Sequence, residues 1–327
     1  MASLRQRGGR WQARVRRQGH PDEVRTFTSR QDAERWARSV ETEIDRGSYI
    51  STAEAQKYTF ADLIDRYLRE VLRGNRHEKV QAYRYKAMAR SALGQFNVAR
   101  LTPSHVAKYR DDRLCEVSAA SVIRELACIS LVINRARKEW GINMTNPVPL
   151  VRKPPSPRGR ERVVSDEELA RLGEVLQPVG KRSIWMAPLV FLALETAMRR
   201  GELLSLRWGD IDLEARTATL LETKNGDKRV VPLSSRAVQI LREMPRDISG
   251  RVFPLTGFAV SKAWTTATFR AGLKDLHFHD LRHTAITRMA SKLPNVIELA
   301  AVSGHKSLRM LQRYYHPHPE DLAKKLG

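Results

Sequence analysis

Residues 279–283 read His-Asp-Leu-Arg-His, and how this HDLRH pentapeptide is framed decides what the chain is. On a helix, histidines four apart share one face, and H-E-x-x-H at that spacing is a zinc-binding signature. Three features oppose a metal here. The third histidine of an extended zinc motif would fall at Met289, and a later glutamate ligand would fall at Ser303. Asp280 is one methylene shorter than the glutamate base of such a site. The flanking charge is positive, which disfavours a dication. No metal site is expected. The frame that remains is His279-x-x-Arg282, and a clefted arginine, permanently charged with a planar fork of donors, meets carboxylate or phosphate.

Composition points the same way. The 327 residues carry 58 Lys and Arg against 36 Asp and Glu, a net charge of +22, which suits a polyanion, nucleic acid first. No apolar run is long enough to span or anchor in a membrane, and MASLRQRGGRW lacks the apolar segment of a signal peptide. Cys115 and Cys128 are the only cysteines. Both fall in helical patterns and read as reduced packing residues of a cytoplasmic protein.

The length allows two or three domains. In residues 1–50, GRWQARVRRQ and EVRTFTS read as short strands, and Ser29 with Asp32 opens a helix striped by Ala33, Trp36, Ala37, Val40 and Ile44. Six arginines and no acid in the first twenty residues fit either a solvated surface or a DNA contact, with Arg10, Arg14 and Arg16 as the candidates. Residues 58–150 read as a helical bundle, with starts near 60, 78, Thr102-Pro103 and Ser118. VRKPPSPRGRERV, residues 151–163, has three prolines and five basic residues against one acid. It reads as an extended linker whose Arg152, Lys153, Arg158 and Arg160 follow a phosphate backbone. Ser165 and Glu168 then form a capping box that opens a further domain, 164–327, containing a buried helix over 182–197 and a hairpin around Asn225-Gly226-Asp227.

In that last domain TAMRRGELLSLRW (196–208), the lysine of TKNGDKRVVPL (Lys224), His279-x-x-Arg282, Gly304-His305 and RYYH (313–316) occur in order. The set resembles the tyrosine recombinase family, specifically the phage-type integrases. One departure is Ala197, where the family has glycine, a small-for-small change with little at stake. A second is the adjacent pair Tyr314 and Tyr315; the preceding Arg313 and the nine-residue spacing from His305 select Tyr314 as nucleophile.

The resemblance implies a mainly α fold with small β elements: an α+β amino-terminal arm-type unit, a helical SAM-like core-binding bundle, and a mixed α/β, mostly helical catalytic domain. It implies single-strand DNA cleavage through a 3′-phosphotyrosine, without metal, ATP or other cofactor. Arg199 and Arg282 would hold the nonbridging oxygens, His305 would donate to them, and His279 would handle the tyrosine proton. Lys224 would protonate the leaving 5′-oxygen, with Glu202 orienting the basic groups. His283 would pack or hydrogen-bond in support, and Tyr315 would pack. Implied partners are duplex DNA carrying attachment sites, three further copies of the chain on two duplexes, and DNA-bending or directionality proteins. A type IB topoisomerase shares this chemistry, and a non-catalytic DNA-binding regulator shares the charge. The arm unit and the nucleophile box favour an integrase of a phage or mobile element.

Overall fold

Capping chemistry sets where most helices of this protein begin. The computed structural model describes all residues except 1, 19–21, 47–53, 75–77, 158, 181–182, 222–227 and 316–318. The chain divides into two compact units, Met1–Arg158 and Gly159–Gly327, with the division inside the basic, proline-rich stretch.

The first unit begins with strands β1 (Ala2–Arg7), β2 (Arg10–Val15) and β3 (Glu23–Phe27), antiparallel in that order. Leu4 faces Ala13, and Ala13 faces Arg25. Two strands were expected; β1 went unrecognised because ASLRQR offers only one large apolar side chain. Helix α1 (Arg30–Asp45) starts at Ser29, whose hydroxyl accepts from the Asp32 amide. Its Ala33, Ala37 and Val40 bury against Ala13 and Val15. Helices α2 (Phe60–Tyr67), α3 (Glu78–Arg90), α4 (Pro103–Leu114) and α5 (Ala119–Glu139) follow. The apolar stripe of α5, from Val122 to Ala136, lies fully buried with Phe60, Leu63 and Ile64 of α2. Beneath it Glu125, also buried, accepts from Tyr109 and Arg113, so its charge is paired. Cys128 is half-buried in α5, but Cys115 caps α4 in an exposed position, which corrects its expected role as a packing residue.

The second unit is built on α6 (Asp166–Leu176), α7 (Met186–Thr196), α8 (Arg200–Ser205), α9 (Ser235–Glu243), α10 (Gly257–Arg270), α11 (Asp280–Lys292), α12 (Val296–Ser303) and α13 (Pro319–Leu326). Three short strands, β4 (Ile211–Asp212), β5 (Thr217–Leu220) and β6 (Arg229–Pro232), form an antiparallel sheet in which Ala218 faces Val231. The expected hairpin tip and Lys224 lie outside the described residues. The two-residue β4 carries no periodicity and was not anticipated. Helix α7 is apolar nearly all round and packs against α6, α8, α9 and α11. Leu189, Val190 and Leu192 are wholly buried there, each stabilising the fold by about 1.5–3 kcal/mol. A smaller core of Ala197, Ala285, Ile286, Leu299 and Leu311 has Tyr314 and Tyr315 packed against it. That second core fixes the carboxy-terminal tyrosines relative to α11 and α12.

Candidate active site

Helix α7 ends in a left-handed residue, Ala197, at φ 51° and ψ 20°. A non-glycine residue held there is strained by roughly 1–2 kcal/mol. The small-for-small substitution therefore has more at stake than its size suggests, and a β-branched residue would not fit. The sharp turn delivers Arg199 as the residue capping α8. Glu202, one turn along, accepts from the Arg199 amide at 2.9 Å and from its Nη1 at 2.6 Å. Its second oxygen also accepts from Arg229 Nη2 at 2.9 Å.

Glu202 is only 5% exposed. Burial pushes its carboxyl up, but the Arg199 amide and the charges of Arg229 and Arg199 more than offset this, so it stays ionised.

Arg282, on the first turn of α11, is buried and donates to the carbonyls of Ala197 and, at 2.7 Å, of Ser303. Burial first and the Arg199 charge next push its guanidinium down to about 10. Arg199, Arg229 and Arg282 thus face a single carboxylate. Three guanidiniums against one acid leave the cluster short of anions, as a site for phosphate requires.

Arg229 was not anticipated. It donates to the Val302 carbonyl at 2.5 Å as well as to Glu202, and its Nε is buried with no partner among the described residues. Its guanidinium lies over Gly304, which ends α12 at φ 69° and where an added Cβ would stand 2.8 Å from it. Gly304→Ala is therefore expected to cost about 1–2 kcal/mol in backbone strain and to displace Arg229 from Glu202. Melting and strand-cleavage rates would show both effects; an unchanged rate would mean that Arg229 yields freely.

His305 follows Gly304. Its Nδ1 lies 2.7 Å from Ser303 Oγ, and that hydroxyl is 2.6 Å from the Leu299 carbonyl, which can only accept. The serine proton therefore points at Leu299, so Nδ1–H of His305 is the donor toward Ser303. Burial, then Arg282, Arg199 and Arg229, push this imidazole down to about 4. Because the folded value lies below the unfolded value of about 6.5, the unfolded chain binds more protons in acid. Stability present above pH 6.5 is expected to be lost as pH falls toward 4, by about 3 kcal/mol from His305 alone. Thermal melting across that range checks this, with a flat profile contradicting it.

His279 and Arg282 stand on the wall of a cleft of about 650 Å³ that Arg200, Ser261, Trp264 and Phe278 also line. His279 itself is exposed; partial withdrawal of its ring from water, then Arg282, hold it below its ordinary value. The hydroxyl of Tyr314 does not meet His279. It hydrogen-bonds Nδ1 of His283, with the two rings stacked at 6.0 Å and 28°. The hydrogen bond expected of His283 is thus made to the candidate nucleophile itself, and of the two histidines it is the one that touches the tyrosine. Tyr315 instead donates to the Leu293 carbonyl at the end of α11.

The expected DNA-contact residues divide. Arg10, Arg152 and Lys153 are exposed. Arg14 and Arg16 are exposed too but pair with Asp22, while Arg158 lies outside the described residues. Arg160 is corrected: it grips the wholly buried Asp280 through Nε and Nη2, at 3.0 and 2.9 Å, and Asp275 through Nη1 at 2.9 Å. Its fork faces α11 rather than an outside phosphate.

Residues 162–321 match the phage integrase family. The chain is 41% identical over 280 residues to the shufflon-specific DNA recombinase of Escherichia coli, covering 83% of this chain and 72% of that protein. It is 31% identical to tyrosine recombinase XerC of Xanthomonas campestris, over 72% of this chain and 76% of the relative. Among solved structures, a lambda integrase tetramer bound to a Holliday junction superposes with a TM-score of 0.64 at 22% identity, covering 93% and 95% of the two chains. Fold and relatives together define a DNA strand transferase of the site-specific recombinase class. The chain belongs to the phage integrase family, the tyrosine recombinases.

Proposed function

We propose that this recombinase cuts and rejoins duplex DNA one strand at a time, with Tyr314 attacking phosphorus to give a 3′-phosphotyrosine and a free 5′-hydroxyl. The observation that carries this reading is the anion-poor arginine cluster beside a tyrosine already hydrogen-bonded to a neutral imidazole. Attack on a phosphodiester places negative charge on the nonbridging oxygens, and Arg199 and Arg282 supply it with fixed, preorganised donors. Glu202 holds Arg199 and Arg229 in place. His305, whose Nδ1–H is used toward Ser303, donates Nε2–H to the phosphate once the arriving anion draws a proton onto the ring, and His279 faces the same cleft. Lys224, on the β5–β6 connection, protonates the leaving 5′-oxygen. With charge supplied by guanidiniums the reaction needs neither metal nor ATP, because the covalent link conserves the phosphodiester energy.

Arg10, Arg14, Arg16, Arg152, Lys153 and Arg158 contact the DNA backbone. Residues 1–50 act as an arm-type unit, 58–150 as a core-binding domain, 151–163 as linker and 164–327 as the catalytic domain. The lambda integrase tetramer on a Holliday junction supports four copies acting on two duplexes. Attachment sites of a phage or mobile element are the substrates, with DNA-bending and directionality proteins assisting. No helix among the described residues is long and apolar enough to cross a membrane, in keeping with action on cytoplasmic, nucleoid-associated DNA.

The test is to incubate the protein with labelled duplex bearing its attachment site in EDTA and look for an SDS-resistant adduct. Its peptide should map to Tyr314. An adduct mapping elsewhere, or none on a duplex that is recombined in cells, would sink the reading.

A further inference from the structure

Helix α11 and its cap present three polar groups to the site: Arg282, which the mechanism above uses, and His279, which faces the cleft, are two of them. The third, His283, is the one in contact with the reacting atom. We propose that His283 is the general base of the reaction, taking the phenolic proton of Tyr314 as that oxygen attacks phosphorus. The proposal rests on Tyr314 being the nucleophile.

Three observations carry it. First, Nδ1 of His283 and the Tyr314 hydroxyl are hydrogen-bonded, with the rings stacked at 6.0 Å. Second, the other candidate, His279, is set edge-on to His283 with ring centroids 5.2 Å apart and faces the cleft beside Arg282. It makes no hydrogen bond or ring contact with the phenol among the described residues. Third, the groups around His283 keep it neutral. From its own helix and cap these are His279, Asp280 and Arg282, from the segment packed on it Arg313 and Tyr314, and from beyond α12 His305. Burial, with the cations prevailing over Asp280, holds the imidazole below its ordinary value. In the neutral tautomer with its proton on Nε2, the Nδ1 lone pair accepts the phenolic hydroxyl at neutral pH.

Burial holds the Tyr314 phenol above its own ordinary value. The proton consequently does not leave in advance; it crosses the existing hydrogen bond as the new bond forms. The balance is closed. The Oη–H bond breaks and Nδ1–H forms; Oη–P forms and P–O5′ breaks, with the leaving oxygen protonated by a separate acid. On rejoining, a 5′-hydroxyl attacks the phosphotyrosine, and the departing phenolate recovers its proton from the His283 imidazolium.

Single-turnover adduct formation on a nicked duplex tests this, with DNA retention and melting confirming that the variants fold. His283→Phe, which keeps a stacked ring, and His283→Gln, which keeps a hydrogen-bonding amide, are both expected to slow the adduct by roughly 10²–10³-fold. A 5′-bridging phosphorothiolate, whose sulfur departs without a proton, should leave that loss in place. The rate of the unsubstituted protein should fall in acid as His283 takes up a proton, and the variants should lose that dependence. Full activity of His283→Gln would reduce the residue to positioning and overturn the proposal, as would recovery on the phosphorothiolate. Failure of the underlying reading would look different: Tyr314→Phe would still form an adduct.

Discussion

Tyr314→Phe is expected to abolish the covalent adduct, by more than 10⁴-fold, while DNA retention stays within about two-fold. Removing the hydroxyl removes the atom that bonds to phosphorus, and no neighbour can replace it. Tyr315 is adjacent in sequence, but its hydroxyl is committed to the Leu293 carbonyl at the far end of α11. Reaching the cleft would require breaking that bond and leaving the second core, against which both tyrosines pack. Tyr315→Phe should therefore cost stability rather than chemistry. A lost hydrogen bond of this kind is worth about 1 kcal/mol, or a melting shift of roughly 2–4 °C in a unit of this size. Strand cleavage should remain within a few-fold of the unsubstituted protein. The reversed pattern, with Tyr315→Phe inactive and Tyr314→Phe active, would show that the preceding arginine and the spacing from His305 had selected the wrong residue.

The boxes that were legible in the chain are those whose chemistry demands a residue type at a fixed local spacing. His279 and Arg282 lie on one helical turn, Gly304-His305 closes a helix, and Arg199 and Glu202 form their own capping pair. Helix starts at Ser29, Ser118 and Ser165 were legible for the same reason, because a cap is written within four residues. What was hidden depends on pairing across the fold. Arg229 is one of 58 basic residues in the sequence, and nothing local marks it as Glu202's second partner, 27 positions away. Arg160 looked like one more linker cation until the fold set it against Asp280, 120 residues later. His283 reads only as a supporting residue because the H-x-x-R frame uses His279 and Arg282; its partner, Tyr314, is 31 residues downstream. The strain at Ala197 was hidden too, since composition reports its size and only the backbone reports its φ.

The same long-range pairing makes Glu202→Ala the substitution expected to damage stability most. The carboxylate accepts from Arg199 through both amide and side chain and from Arg229, while buried Arg282 feels its charge. Its loss leaves three guanidiniums facing one another in a partly dry site. Removing one partner of a buried charge pair costs about 3–5 kcal/mol, which for this unit is a melting shift of the order of 10 °C. Glu202→Gln keeps the shape and an acceptor but not the charge, and should fall between the two. Because the folded carboxyl is held below its usual value, its contribution is present above the unfolded value of about 4.3 and is lost as pH falls through the folded one. At neutral pH the full effect should therefore be seen. The decisive measurement is melting with and without duplex DNA. A bound phosphate would supply the anion that the substitution removes, so DNA should stabilise Glu202→Ala by more than it stabilises the unsubstituted protein. Strand cleavage should nevertheless fall at least tenfold, since Arg199 loses the partner that aims it. Equal stabilisation of both proteins by DNA would mean that the phosphate does not enter the arginine cluster, and the placement of the reaction there would have to be abandoned.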